Sequence, residues 1–185
     1  MVYKILNFPH KEIISKKLNK FCVDNKYNTV GVYWPKNSNE FLFSIPEFRE
    51  DVARLNLTNF ISGLTINVID NTDNNFVHID PYFSTTNRYR MIFPISGYNN
   101  TWISYYESNK DPDLELHVPN PVDPSLKFQY YSDPFSAVKE IERASFENVL
   151  LIDTYTLHCA FNIANNNRIL GLVGLKPELD VSIIL

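Results

Sequence analysis

Only four histidines occur in the sequence, so each can be weighed as a catalytic or metal-binding residue. His78 and Asp80 lie two positions apart in FVHID, whose alternating apolar residues are typical of a β-strand. Side chains at i and i+2 share one face of a strand, so the imidazole and the carboxylate point the same way. Together they are suitable ligands for a divalent transition metal. A hydrogen-bonded pair at a strand end is the alternative interpretation.

A second histidine lies in a strongly apolar stretch of the sequence. His158 belongs to LLIDTYTLHCAFNI, where a buried imidazole is costly unless it has a partner. That partner is either a metal or a backbone carbonyl. Arg168 follows ten residues later at the head of another apolar strand. It is either a rim residue or a planar fork that binds a carboxylate. Cys159 points to the opposite face from His158 and is not proposed as a ligand.

The remaining two histidines carry no comparable pattern. His10 stands beside a proline before a predicted helix, and we expect it at the surface. His117 lies in LELHVPNP, a proline-bounded loop or edge strand, where a structural role is the simpler interpretation.

Short strands must position these residues. From about residue 60, short segments rich in β-branched and aromatic residues alternate with clusters of Asn, Pro, Asp and Ser. These segments are GLTINVID, FVHIDPY, NRYRMIFPIS, TWISYYES, FQYYS, NVLLIDTYTLHCAFNI and RILGLVGLK. Helices in the first third of the chain, followed by seven or eight strands, predict an α+β protein that is mainly β. Its larger part is predicted to be a sandwich or a small barrel.

Three helices are predicted around these strands. The first covers HKEIISKKLNKFCVDN, and its apolar face consists of Ile13, Ile14, Leu18 and Phe21. The second has Ser44 as N-cap and Pro46 in its first turn, and its core-facing residues are Phe48, Val52 and Leu55. The third is DPFSAVKEIERAS, with Asp133 as N-cap and Pro134 at the first helical position. TVGVYWP and EFLFSI between the first two helices are predicted to be strands.

Composition limits the class of partner. The chain has 185 residues, 44% hydrophobic and 21% charged, with a formal net charge of −4. This balance gives no general attraction to nucleic acid or to an anionic membrane. Two cysteines cannot form a disulfide framework. Because no signal peptide or spanning segment is visible, we expect a cytoplasmic protein.

The combined pattern of His78-x-Asp80, a long gap, His158 and Arg168 resembles the Fe(II)/2-oxoglutarate-dependent dioxygenases. HIDPYFSTTNRYRMIFPI is similar to the family segment that joins the ligand strand to an arginine-containing strand. TLHCAFNIANNNRILGLVGL is similar to the closing segment, in which an asparagine often stands four residues after the distal histidine; Asn162 fits that position.

The resemblance implies a double-stranded β-helix, a cupin-like jelly roll with N-terminal supporting helices. It covers roughly residues 60–176. The expected organisation is one domain over residues 1–185, in which residues 1–59 supply supporting helices and strands. Residues 60–176 then form the jelly-roll core, with an inserted loop around 108–132 at the mouth of the pocket.

The resemblance also implies a cofactor and a reaction. His78, Asp80 and His158 would bind Fe(II) and leave positions open for 2-oxoglutarate and O2. Arg168 would bind the far carboxylate of 2-oxoglutarate, and the reaction would release succinate and CO2. Further candidates for the cosubstrate site are Asn162 and a hydroxyl from Tyr106 or Tyr155.

The substrate would be a small molecule or a peptidyl side chain. Arg88 and Arg90 share a face of the following strand and are candidate substrate-binding residues. An ion pair with a nearby acid is an equal alternative for Arg90. The likeness suggests a branch of small hydroxylases related to prolyl and aspartyl/asparaginyl hydroxylases, although Asp80 departs from the usual aspartyl/asparaginyl pattern. Another cupin-type metal enzyme and a non-catalytic jelly-roll binding protein are the alternatives, and the few histidines and five glycines disfavour the other cupins.

Overall fold

A computed structural model describes residues 2–70, 77–79, 88–108 and 138–184, together with the backbone of residues 117–119 and 127–130. Its helices are α1 (Lys11–Asp24), α2 (Ser38–Ser44) and α3 (Pro46–Arg54). Its strands are β1 (Tyr3–Leu6), β2 (Gly31–Tyr33), β3 (Ile61–Ile69), β4 (His78–Ile79), β5 (Tyr89–Ser96), β6 (Thr101–Ser108), β7 (His117–Pro119), β8 (Lys127–Tyr130), β9 (Val138–Ser145), β10 (Val149–Asp153), β11 (His158–Asn162) and β12 (Arg168–Leu175).

Across these residues the strands form two antiparallel sheets. The first sheet has the order β1-β10-β5-β12-β3-β2, and the second has the order β7-β8-β4-β11-β6-β9. Successive strands alternate between the two sheets from β3 to β6 and again from β9 to β12. In the first sheet β12 lies between β5 and β3, although it follows both of them in the chain. The predicted mainly-β class is confirmed.

The helices cover the outer face of the first sheet. Met91 and Phe93 of β5 pack in one apolar cluster with Ile14 and Leu18 of α1. Burying side chains of this size contributes about 1.5–3 kcal/mol each. The predicted core positions Phe48 and Val52 of α3 are also fully buried, and Leu55 packs partly buried against the same cluster. Ile13 was predicted in the core but is 44% exposed, because the buried stripe of α1 runs through Ile14, Leu18 and Cys22 instead.

The inner face of the first sheet packs on the second sheet. Ile92, Ile152 and Leu170 from the first sheet share an apolar cluster with Ile103 and Tyr105 from β6. Residues that alternate with the helix-facing positions therefore point into the space between the sheets. The predicted ligand His158 and the predicted cosubstrate residue Arg168 belong to strands that border that space.

One predicted helix is a strand. Residues 138–145 of DPFSAVKEIERAS form β9, which pairs with β6 along its length, while Asp133 and Pro134 lie outside the described residues. The helix-forming Lys, Glu, Arg and Ala residues of this segment favour a helix locally. Pairing with β6 overrides that preference, and β9 keeps every side chain but Ala144 at least partly exposed.

One predicted strand is a helix. EFLFSI falls mostly in α2, where Leu42 is buried, because a short apolar run does not distinguish a strand from a helix. Ser44 is the last residue of α2, and its hydroxyl donates to the carbonyl of Phe41. It is therefore not the N-cap of α3, which begins at Pro46 with Ile45 in the capping position. The predicted strand in TVGVYWP is confirmed as β2.

Among the described residues, every helix is either too short or too polar to cross a bilayer.

Candidate metal and cosubstrate site

His78 and His158 lie directly opposite each other on neighbouring strands. Antiparallel pairing of β4 with β11 places them in register, and their ring centroids are 4.4 Å apart with the planes inclined by 52°. His158 is buried and His78 is partly exposed. Residues that the sequence separates widely are thus brought within the distance at which two imidazoles can share one metal ion.

The ring of His158 is oriented by the backbone. Its Nδ1 lies 2.8 Å from the carbonyl oxygen of Thr156. A carbonyl can only accept, so Nδ1 carries the proton and donates it to Thr156. In the neutral ring Nε2 then keeps its lone pair, which is the state that a metal ligand requires. The expectation of a backbone-bonded histidine and that of a metal ligand are therefore compatible at this position.

Asp80 lies outside the described residues, as do residues 81–87 that follow it. Within the described part of the chain, no three His, Cys, Asp or Glu side chains converge as a metal site. The assignment of Asp80 as the third ligand stays a prediction. The donor set of two imidazoles from adjacent strands, one with its tautomer fixed, fits a divalent transition metal that takes a carboxylate in addition.

Arg168 is buried between the sheets. It is the first residue of β12 and is 1% exposed, and its Nη1 donates to the carbonyl of Phe161 at 3.2 Å. The guanidinium carbon lies 4.8 Å from the centroid of the Phe146 ring. Leu170, two positions along the strand, belongs to the inter-sheet cluster, so Arg168 faces the same space.

Tyr105 also faces this space and was not singled out in the sequence. It pairs with His158 across β6 and β11, and the two rings are 6.0 Å apart. The Tyr105 ring also stacks on the ring of Tyr3 in β1, with the centroids 6.1 Å apart. Aligning β6 with β11 in the correct register identifies Tyr105 as the residue opposite His158. Sequence patterns do not supply that register.

Tyr106 lies in a different environment. It packs in an apolar cluster with Val77, Leu157 and Cys159, and burial raises its pKa to about 12. Since Cys159 alternates with His158 along β11, this cluster is on the face of the second sheet that points away from the inter-sheet space. The structure does not bring Tyr106 together with His158 and Arg168.

Asn162 is buried at the end of β11 and is fully engaged with the backbone. Its amide nitrogen donates to the carbonyls of Ile69 at 3.0 Å and Asn166 at 3.2 Å. Its amide oxygen accepts from the backbone N–H of Ala164 at 3.0 Å. These bonds shape the turn between β11 and β12 and thereby place Arg168.

The two candidate substrate arginines have different surroundings. Arg88, just before β5, forms an ion pair with the buried carboxylate of Asp153, which raises the pKa of Arg88. Its guanidinium also lies over the rings of Tyr89 and Tyr155. Arg90 occupies the same face of β5 as Ile92, and is partly exposed.

Comparison with known proteins gives similar folds at low sequence identity. SnoK, a non-heme alpha-ketoglutarate-dependent carbocyclase from nogalamycin biosynthesis, has a TM-score of 0.51 and 13% identity over 95% of this chain and 78% of its own. HygX from Streptomyces hygroscopicus, solved with iron bound, has a TM-score of 0.52 and 10% identity over 96% of this chain and 83% of its own. The chain therefore has a fold like that of these enzymes, which does not by itself assign a reaction.

A third solved structure, E. coli ycfD, is 19% identical over 63% of this chain with a TM-score of 0.34, and the chain spans only 26% of its length. No protein-family model and no curated protein sequence matches the chain.

Proposed function

We propose that this protein is an Fe(II)- and 2-oxoglutarate-dependent oxygenase that hydroxylates a small molecule or a peptidyl side chain. The observation that carries the proposal is the pairing of His78 with His158 at 4.4 Å between ring centroids. The similar folds of SnoK, which depends on alpha-ketoglutarate, and HygX, which contains iron, support it.

The proposed architecture is a double-stranded β-helix. Strands β3, β5, β10 and β12 build the core of the first sheet, and strands β4, β6, β9 and β11 build the core of the second. A jelly roll of this kind places its ligand residues between the two sheets. Both paired histidines, Tyr105 and Arg168 belong to the strands that line this space.

The proposed metal ligands are His78, Asp80 and His158. The fixed tautomer of His158 supplies an imidazole nitrogen without a proton to remove. Two histidines and one carboxylate bind ferrous iron while leaving exchangeable positions. When bound, iron, 2-oxoglutarate and O2 supply an oxidation that releases succinate and CO2 and hydroxylates the substrate.

The proposed cosubstrate residue is Arg168. Its guanidinium is a planar fork that matches a carboxylate, and burial between the sheets excludes water, which strengthens the attraction to an anion. We favour Tyr105 over Tyr106 as the accompanying hydroxyl, since only Tyr105 lies beside His158. Asn162 acts through the turn that it holds, and Tyr155 through its contact with Arg88.

The substrate-binding role is proposed for Arg90. Arg88 has an intramolecular carboxylate partner in Asp153, whereas Arg90 lies on the strand face that borders the inter-sheet space. The small hydroxylase branch, a cytoplasmic location and the lack of a nucleic-acid or membrane partner stay proposals, supported by the motif and by the net charge of −4.

Anaerobic titration with Fe(II) and 2-oxoglutarate tests the function. We expect the visible charge-transfer band that is typical of the family, and production of succinate when air is admitted. His78→Ala and His158→Ala should each abolish the band. Arg168→Met should bind metal normally but require about 10–100-fold more 2-oxoglutarate, because charge-assisted hydrogen bonds contribute about 1.5–3 kcal/mol.

His10→Asn is the matched control, since His10 bonds to Asp51 in the helical layer and should not affect the band. Metal binding without any effect of 2-oxoglutarate would favour another cupin-type metal enzyme. A folded protein that binds no metal would favour the non-catalytic binding protein.

A further inference from the structure

The loop that leads into His158 is held by Asp153, the residue directly before it. Asp153 ends β10 and is 2% exposed. Its Oδ1 accepts from Nε of Arg88 at 3.2 Å and from the backbone N–H of Tyr155 at 3.0 Å. Its Oδ2 accepts from Nη2 of the same guanidinium. One carboxylate therefore joins Arg88 to the backbone of the loop.

The backbone of Arg88 holds the same loop a second time. The carbonyl of Arg88 accepts from the backbone N–H of Thr154 at 3.0 Å and from its hydroxyl at 2.6 Å. The guanidinium carbon lies 5.9 Å from the ring centroid of Tyr155. Side-chain and main-chain groups of one arginine thus fix two consecutive loop residues.

The next residue is the one that orients the histidine. Thr156 follows Tyr155 directly, and its carbonyl accepts from Nδ1 of His158. A carbonyl keeps its direction only if the peptide units before it are fixed. The chain of contacts runs from Arg88 through Asp153 and Tyr155 to the carbonyl that selects the tautomer of His158.

We propose that Arg88 and Asp153 form a clamp that positions His158 for metal binding, so that Arg88 is a positioning residue rather than a substrate-binding one. The proposal rests on the proposed function only in taking a metal as the ligand of His158. Loss of the Arg88 side chain leaves the main-chain bonds to Thr154 but removes the guanidinium from Asp153. The Thr156 carbonyl is then held less firmly, so Nε2 carries the proton in part of the molecules. Groups that orient a ligating histidine typically affect metal affinity by about 10–100-fold.

Two measurements test the clamp without requiring catalytic activity. The first is the affinity for Mn(II), measured by direct titration of the full chain. We expect Arg88→Ala to weaken it about 10–100-fold. The second is the tautomer of His158 in the metal-free protein, read at pH 8 from the ¹⁵N shifts of the ring. We expect one tautomer with the proton on Nδ1 in the unmodified protein and a mixture in Arg88→Ala.

Arg88→Lys is a second variant, which keeps the test decisive if Arg88→Ala does not fold. It keeps a cation beside Asp153 but loses the two coplanar N–H donors, so we expect a folded protein with an intermediate loss of affinity. The matched control is Arg143→Ala. Arg143 also forms a two-nitrogen ion pair, with Glu140, and also lies over an aromatic ring, that of Trp102. Its removal should change neither readout.

Normal Mn(II) affinity and a single His158 tautomer in both Arg88 variants would overturn the clamp. An equal loss in Arg143→Ala would overturn it as well, because the effect would then follow from losing any such ion pair. If the unmodified protein binds no Mn(II), the proposed function fails, and the tautomer measurement still decides whether Arg88 orients His158.

Discussion

Asn162 joins the two sheets through one side-chain amide. Its nitrogen donates to Ile69 at the end of β3 in the first sheet, while its own strand, β11, belongs to the second. The same amide fixes the turn that ends at Arg168 through Asn166 and Ala164. Asn162 therefore fixes the position at which Arg168 begins β12.

We expect Asn162→Ala to lower the free energy of unfolding by about 2–4 kcal/mol, because three part-buried backbone groups lose their partner. Asn162→Asp should be at least as damaging, since a carboxylate would face two carbonyl oxygens. Urea unfolding measures both. The control is Asn167→Ala, which removes a single exposed bond to Asn28 and should cost under about 1 kcal/mol. Equal losses at positions 162 and 167 would contradict this role.

The candidate site shows which residues a sequence can identify. His78, His158 and Arg168 were selected by residue type, spacing and apolar surroundings, and the structure places the two histidines together. The tyrosine differs, because antiparallel pairing of β6 with β11 places Tyr105 rather than Tyr106 opposite His158. Residue types and spacing do not fix that register, so only the tertiary pairing reveals which ring lies beside His158.

At the scale of elements, sequence patterns identified the strands with buried faces. The segments of β3, β5, β6, β10, β11 and β12 carry alternating or continuous apolar residues, which bury against the helices or the opposite sheet. The edge strand β9 lacks such a pattern because it buries little more than Ala144. Its conformation comes from pairing with β6, which no local signal in VKEIERAS encodes.

The turn between β5 and β6 depends on a glycine. Gly97 has a φ of +65°, and a Cβ there would lie 2.0 Å from the carbonyl oxygen of Asn167. Gly97→Ala must therefore displace the segment that leads into β12, and we expect a loss of more than about 2 kcal/mol in the free energy of unfolding.

Asn100 in the same turn also has a left-handed φ, of 56°. Asn100→Gly therefore changes a residue with this backbone conformation without adding an atom that could clash. We expect a change of less than about 1 kcal/mol from that substitution. Thermal and urea unfolding of the two variants measure the difference. A Gly97→Ala variant as stable as Asn100→Gly would show that the contact with Asn167 relaxes without cost.

For the whole molecule, two buried thiols determine part of the pH dependence of stability. Burial raises the pKa of Cys22 from 9.0 to about 11 and that of Cys159 from 9.0 to about 12. Above about pH 9 the unfolded chain releases thiol protons that the folded protein retains. Stability therefore falls as pH rises through this range.

We expect the free energy of unfolding to decline between pH 8 and about pH 10.5, and the decline to be shallower in a Cys22→Ala/Cys159→Ala variant. The variant is less stable at neutral pH because it creates cavities, so the slope is the quantity to compare. Urea titrations at several pH values provide it. Identical slopes in the two proteins would show that other groups govern the alkaline loss.

The central position of β12 in the first sheet has a consequence for synthesis. Strands β3 and β5 emerge from the ribosome long before β12, which must lie between them. Until then each presents an unpaired apolar edge, and such edges are prone to pair with other chains. The first sheet therefore cannot be completed until β12 has been synthesised, and a chain stopped before β12 should aggregate more readily than the full sequence.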